Sequence, residues 1–220
     1  MATPTIEEYL ETIYILETEN PPVRAGRVAE SMGVSAPTMT DTLKRLVQQG
    51  FATVGGGKSI SLTAAGREAA EAMVRRHRLW ERWLVDVLGM DWSAVHEEAC
   101  RLEHALSPEV EARLTALLGN PSTCPHGNPI PGLSREPLQA ARLSEVLAGD
   151  EVVLARVTPA GEKDPRLLDY LKQVGLLPGT QLRVLEVAPW SGLVTVGIDG
   201  RTAVIGIEVA EQLHVTASRR

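Results

Sequence analysis

The stretch from 120 to 137, NPSTCPHGNPIPGLSREP, constrains the fold of this chain more than any other. It holds five prolines and two glycines. Proline locks φ and lacks a backbone donor, so neither a long helix nor a central strand can pass through it. The apolar pattern also differs on its two sides. Before it, apolar residues recur at helical spacing; after it, short β-rich runs alternate with Gly and Pro. The chain must therefore fold as a mainly α N-terminal half followed by a small all-β C-terminal barrel.

In the first half, Ile6, Leu10, Ile13, Tyr14 and Leu16 predict a helix from about Thr5, stopped by Pro21-Pro22. A short helix over Arg24–Met32, a turn at Gly33-Val34-Ser35 and a helix from Ala36 to about Gln49 give a helix-turn-helix. Ala52–Val54 and Ser59–Leu62 flank Gly55-Gly56-Gly57 and read as a hairpin wing. Thr63 caps a long helix, about Ala64–Leu88. Asp91 is expected to cap a fifth, reaching about Leu106. Ser107-Pro108 opens a sixth, which ends at Gly119. In the second half, Val152–Val157, Gln181–Val187, Leu193–Ile198 and Ala203–Ile207 read as strands, with a helix near Pro165–Val174. The expected domains are 1–63 (winged helix-turn-helix), 64–119 (helical), 120–142 (Pro-rich linker) and 143–220 (barrel).

The net charge of −6 excludes a generic nucleic-acid coat but not a local DNA surface. Between Pro21 and Ile60 the basic residues are Arg24, Arg27, Lys44, Arg45 and Lys58, against only Glu30 and Asp41. The third helix offers Ser35, Ala36, Pro37, Thr38, Thr40 and Asp41 at its outer, N-terminal end. Small hydroxyl side chains and Pro37 suit base edges and thymine methyls, whereas the basic residues suit phosphates.

No apolar run approaches the roughly 18–20 residues of a membrane span, and the N-terminus carries no basic-then-apolar signal pattern. A soluble, cytoplasmic chain without membrane partner is expected. There Cys100 and Cys124 stay reduced and free to act as ligands. His77 and Glu81 are four residues apart on one helix. His96, Cys100, Glu103 and His104 fall at spacings of three and four on the next and are expected to share one side. Imidazole, thiolate and carboxylate together are transition-metal donors, costly to bury otherwise. Glu8 and Glu11 add carboxylates on the first helix. His96-Glu97-Glu98-Ala99-Cys100 approaches a zinc-protease pattern, but Cys replaces the second His. Nothing marks an open coordination position with a base, so no enzyme and no small-molecule substrate are expected.

Five stretches carry a family resemblance: EEYLETIY (7–14), VSAPTMTDTLKRL (34–46), RRHRLWERWL (75–84), HEEACRLEHALS (96–107) and CPHGNPIPG (124–132). Together they resemble the diphtheria-toxin-repressor and manganese-transport-regulator family of metal-dependent repressors. The tail is similar to the SH3-like (FeoA-like) domain of its longer members. The resemblance implies a homodimer, held through the helical domain, that binds an inverted-repeat operator in double-stranded DNA. It implies two metal sites per subunit for Mn(II) or Fe(II), with Zn, Co, Cd or Ni able to substitute in vitro, and genes for metal uptake as targets. The primary site would use Glu8, Cys100, Glu103 and His104, with Glu11 added in the manganese type. The ancillary site would use His77, Glu81 and His96. In some manganese-responsive members Cys124, His126 and an acid from the tail, here Glu162 or Asp164, join the second site. Iron-type members pair Met at the Glu8 position with Cys at the Cys100 position, whereas manganese-type members pair Asp with Glu. This chain mixes the two: its extra carboxylate favours Mn(II), its thiolate Fe(II), Co(II) or Zn(II). A metal-regulated activator and a metal-buffering interaction protein are the alternatives.

Overall fold

The computed structural model describes residues 6–134 and 140–218, so Thr5 lies outside the described part. Two compact units divide at Arg76–His77, within one helix.

The first unit contains α1 (Ile6–Glu19), β1 (Val23–Arg24), α2 (Ala25–Met32), α3 (Ala36–Gln48), β2 (Ala52–Val54), β3 (Ser59–Leu62) and the start of α4 (Ala64–Asp86). Leu10, Ile13, Val28, Met39, Leu46 and Ile60 fill its core. Gly33 ends α2 at φ +62, a left-handed conformation that a side chain resists, and the chain reverses there into α3. Ser35 caps α3, accepting from the Thr38 amide. The wing is wider than a hairpin. Arg24, expected as the first residue of the second helix, instead pairs with Ser59, giving a three-stranded sheet in the order β1-β3-β2. The Glu17 carboxylate ties this unit together by accepting from the Leu62 amide (3.0 Å) and from Arg67 (2.6 Å).

The second unit begins with the remainder of α4, then α5 (Val95–Leu102) and α6 (Pro108–Leu117). The expected single helix from Asp91 to about Leu106 is shorter at both ends. The Asp91 carboxylate accepts from the Ser93 amide and hydroxyl, closing a local turn rather than capping the helix. At the far end, Pro108 drives Ser107 into extended backbone, and Glu103–Ala105 tighten into a 3-10 turn. The sixth helix ends as expected: Gly119 adopts φ +73.

Residues 122–134 form a packed strap. Thr123 bridges Pro129, and the His126 carbonyl accepts from the Val157 amide. Trp92 donates to the Pro125 carbonyl, Arg82 to Thr123 and Arg78 to Pro129. Ile130 is fully buried with Leu79, Leu106 and Leu114. At Gly127 (φ +88) a Cβ would stand 2.1 Å from the Ala155 carbonyl oxygen, so only glycine lets the strap lie so close to its neighbour.

Beyond the strap come β4 (Ala141–Arg142), β5 (Glu151–Val157), α7 (Pro159–Glu162), α8 (Pro165–Val174), β6 (Gln181–Ala188), β7 (Leu193–Ile198), β8 (Arg201–Gly206), α9 (Ile207–Glu211) and β9 (Leu213–Ala217). The sheet is antiparallel in the order β4-β9-β5-β6-β7-β8. Leu154, Val184, Val196 and Val215 fill it from the strands, Leu168 and Leu171 from α8. The four expected strands and α8 are present; the short β4 and β9 and the single-turn α7 and α9 were not anticipated. Residue Glu162, the last of α7, reaches the strap.

Candidate metal centre and nucleic-acid interface

Two adjoining side-chain clusters occupy the second unit. Helix α4 is held by Leu79, Leu84 and the edge-to-face pair Trp80–Trp83, which fixes the face carrying His77 and Glu81 one turn apart. Helix α5 buries Val95 and Ala99, and its alternate positions present His96 and Cys100. His77 is buried between two carboxylates, with Nδ1 2.6 Å from Glu103 Oε2 and Nε2 3.0 Å from Glu81 Oε1. His96 Nδ1 lies 3.1 Å from His77 Nε2 and 3.3 Å from Glu81 Oε1. Cys100 Sγ, the solvent-facing member, lies 3.9 Å from His77 Nδ1 and from His96 Nε2.

Four buried side chains form the second cluster: Glu81, Cys124, His126 and Glu162. His126 Nδ1 is 3.5 Å from Oε1 of both Glu81 and Glu162, and Cys124 Sγ is 3.6 Å from Glu162 Oε1. His126 Nε2 donates to the Trp92 carbonyl (3.0 Å) and its ring stacks at a tilt on that indole. That bond takes up the Nε2–H and turns Nδ1 toward the carboxylates. The Asn128 amide donates to Glu162 and to the Val157 carbonyl, while its oxygen accepts from Arg156. Trp92 and Asn128, which hold the cluster's side chains in place, were missed by sequence reasoning; nothing in a lone Trp or Asn signals a contact 34 residues away.

The expected single face of α5 does not hold. Glu103 and His104 sit on the 3-10 turn, whose tighter pitch parts them: Glu103 is buried against His77, whereas His104 is exposed, its Nε2 3.5 Å from Glu103 Oε1. Of the two tail acids, Glu162 joins the cluster. Asp164 is exposed and caps α8, accepting from the Arg166 and Leu167 amides. Glu8 and Glu11 lie one turn apart on α1 in the first unit.

The electrostatics is that of a site holding protons. Burial alone would push the His77 ring down, but Glu81, Cys100 and Glu103 outweigh it and raise it well above its usual value. His96 rises to about 9, burial being overcome by Cys100 and Glu81. His126 rises to about 12, against burial, mainly through Glu81 and Cys124. Burial would raise Glu81, yet His77 and His126 hold it well below the carboxylate range. The thiols diverge. Cys124 is pushed up to about 11 by burial and by Glu81 and Glu162, whereas the imidazoles beside Cys100 lower it despite burial.

In the first unit, Ser35, Ala36, Pro37, Thr38, Thr40, Asp41, Lys44 and Arg45 are exposed along one side of α3. Arg24 and Lys58 are exposed on the wing sheet and at its tip. Arg27 is half-buried and donates to the Asn20 carbonyl. Asp41 is paired with Lys44 at 3.1 Å. The Ser35 hydroxyl is spent on the cap, and the Thr40 hydroxyl donates to the Ala36 carbonyl (2.8 Å).

Three family descriptions match in succession. Residues 1–59 match the iron dependent repressor N-terminal DNA binding domain, residues 63–132 its metal binding and dimerisation domain, and residues 141–217 the FeoA domain. The iron-dependent repressor IdeR of Mycobacterium tuberculosis is 43% identical over 208 residues, covering 89% of each chain. The chain belongs to the iron-dependent repressor family. Its members are DNA-binding transcriptional repressors, and this chain is a regulator of that kind rather than an enzyme. The diphtheria toxin repressor of Corynebacterium diphtheriae is 48% identical over 130 residues, 59% of this chain and 57% of that one. A solved manganese-dependent transcriptional repressor in complex with manganese superposes with a TM-score of 0.89 at 37% identity, covering 97% of this chain and 100% of that one.

As a repressor of this family the chain should bind a divalent ion, and its own atoms fit one. Glu81 Oε2 and His126 Nδ1 are buried without a hydrogen-bond partner among the described residues. Orphaned buried polar atoms cost free energy unless something satisfies them. Carboxylate, imidazole and thiolate donors around them are a transition-metal set. Among the described residues no helix is long and apolar enough to cross a membrane.

Proposed function

We propose that this protein is a homodimeric repressor that binds an inverted-repeat operator once Mn(II) or Fe(II) has loaded its second unit, and that it acts in the cytoplasm on metal-uptake genes. The observation that carries the reading is the buried quartet Glu81, Cys124, His126 and Glu162 with two polar atoms orphaned among the described residues, in a chain whose α3 exposes Pro37, Thr38, Thr40, Lys44 and Arg45. The ion supplies positive charge and fixed coordination where the metal-free protein keeps protons.

His77, Glu81, His96, Cys124, His126 and Glu162 are the ligands that this reading places at the ancillary position, with Cys100, Glu103 and His104 at the primary one. Participation of Glu8 and Glu11 from the first unit belongs to the same proposal and rests on the family resemblance alone. So do the count of two sites per subunit and the domain boundaries at 63, 119 and 142. Glu103 and Trp92 orient the His77 and His126 rings by accepting their second N–H, and Asn128 orients Glu162. On DNA, Lys44, Arg45 and Lys58 face phosphates and Pro37, Thr38 and Thr40 approach base edges, with two heads about 34 Å apart on successive major grooves. Metal selects that spacing from the states the free protein samples.

The test is an operator-binding titration with Mn(II), Fe(II) and Zn(II) in parallel, followed by chelation. Tight binding that appears with metal and is lost with chelator supports the reading. Equal operator affinity in its absence, or Glu8→Ala and His104→Ala proteins with unaltered metal dependence, contradicts it.

A further inference from the structure

The two clusters meet in one side chain. Glu81 Oε1 faces His77 Nε2 at 3.0 Å, His96 Nδ1 at 3.3 Å and His126 Nδ1 at 3.5 Å, while Oε2 of the same carboxylate is buried with no hydrogen-bond partner among the described residues. We propose that Glu81 is shared between two divalent ions, one held with the His77 and His96 imidazoles and the other with Cys124, His126 and Glu162. The proposal rests on the reading above that these side chains hold metal, and it makes the ancillary position a two-ion site beside the primary one.

Donor atoms are available for both ions at once. His77 gives its Nδ1–H to Glu103, which leaves Nε2 free on the Glu81 side, where His96 Nδ1 already stands. His126 gives its Nε2–H to Trp92, leaving Nδ1 for the strap side. No imidazole is needed twice; only the carboxylate is, and a carboxylate has two oxygens with lone pairs to spare.

Charge sets the requirement. Glu81, Glu103, Glu162 and the thiolates of Cys100 and Cys124 would carry five negative charges, most of them buried. One dication leaves three of them to be met by protons on the imidazoles, whereas two dications leave one. The second ion therefore takes the place of protons that the His77 and His96 rings hold without it. Glu81 then acts on both ions, and whatever occupies the strap side is felt on the α5 side through one residue of α4.

The full-length chain is loaded with Mn(II), bound manganese is counted by equilibrium dialysis, and the low-temperature electron paramagnetic resonance spectrum is recorded. A carboxylate-linked pair is expected to show an exchange-coupled multiline signal in the wild type. Glu162→Gln and His96→Ala should each remove one ion and replace the coupled signal by that of isolated Mn(II). Glu81→Gln should lower bound manganese by two per chain, or weaken both ions by at least tenfold. A fully loaded wild type showing only isolated Mn(II), or a folded Glu81→Gln protein that loses a single ion with the other unaffected, would overturn the shared carboxylate while leaving metal binding intact. Uptake unchanged in both Glu162→Gln and His96→Ala would instead overturn the metal assignment itself, and the pair with it. Because the wild-type and Glu162→Gln spectra decide the matter, it stays testable even where Glu81→Gln does not fold.

Discussion

The two cysteines show how much a residue's chemistry depends on where the fold puts it. Cys100 faces solvent with its thiol lowered beside two imidazoles; Cys124 is sealed in and raised to about 11. Thiolate is the reactive form, so in metal-free protein iodoacetamide should alkylate Cys100 many times faster than Cys124. Peptide mass mapping over time checks this, and equal rates would refute it. Saturating Mn(II) should slow the Cys100 reaction if that thiolate is a ligand. On the reading helix, Lys44→Ala should weaken operator and non-specific DNA alike and reduce the salt dependence of binding by about one ion per subunit, measured by fluorescence anisotropy across a salt series. The residue types at both sites were legible in the sequence because donor chemistry and charge are properties of single side chains. Which oxygen faces which ring was not. Glu162 and Asp164 read alike, and only the end of α7 and the cap of α8 separate a buried cluster member from an exposed helix N-cap.

Among the elements, those with strong local signals were the readable ones. Gly33, the glycine tip at 55–57, Pro108 and Gly119 mark boundaries by backbone chemistry alone, and the elements around them fall where the pattern puts them. Helix α5 was overextended because Asp91 reads as a cap until Ser93 is seen to satisfy it. β4 and β9 pair across more than seventy residues, and no local pattern announces such a partner. The strap was the hardest element to read. Its proline content says only that it is irregular, whereas its packing places Cys124, His126 and Asn128 together. Gly127→Ala therefore tests the strap. The added methyl would meet the Ala155 carbonyl at φ +88, so a destabilisation of at least about 2 kcal/mol is expected. Urea denaturation with and without Mn(II) should show it, together with weaker metal uptake. Full retention of both would mean that the strap adapts and does not hold the ligands.

At the scale of the whole molecule, the proposed ligand set makes protons and metal competitors for the same buried atoms, and this sets the sign of every pH effect. In metal-free protein His96 is raised to about 9, against roughly 6.5 for an unfolded histidine. Its contribution to stability is therefore complete below about pH 6.5 and is lost as pH rises through 9. Glu81, depressed by His77 and His126, works in the opposite direction: its contribution is present above the ordinary carboxylate range and disappears as strong acid protonates it. The metal-free protein should thus be most stable in mildly acidic to neutral solution and should weaken toward pH 9. Metal reverses the upper limb, since a bound ion needs neutral imidazoles and ionised thiols. Its affinity must rise with pH, and each binding event must release protons. Ion at a hundred times its dissociation constant stabilises the folded state by about 2.7 kcal/mol. Thermal melts from pH 6 to 9 with excess Mn(II) and with chelator should therefore diverge as pH increases. Calorimetry in buffers of different ionisation enthalpy should report net proton release. Parallel curves with no released protons would mean that the ion binds away from the His77, His96 and His126 rings.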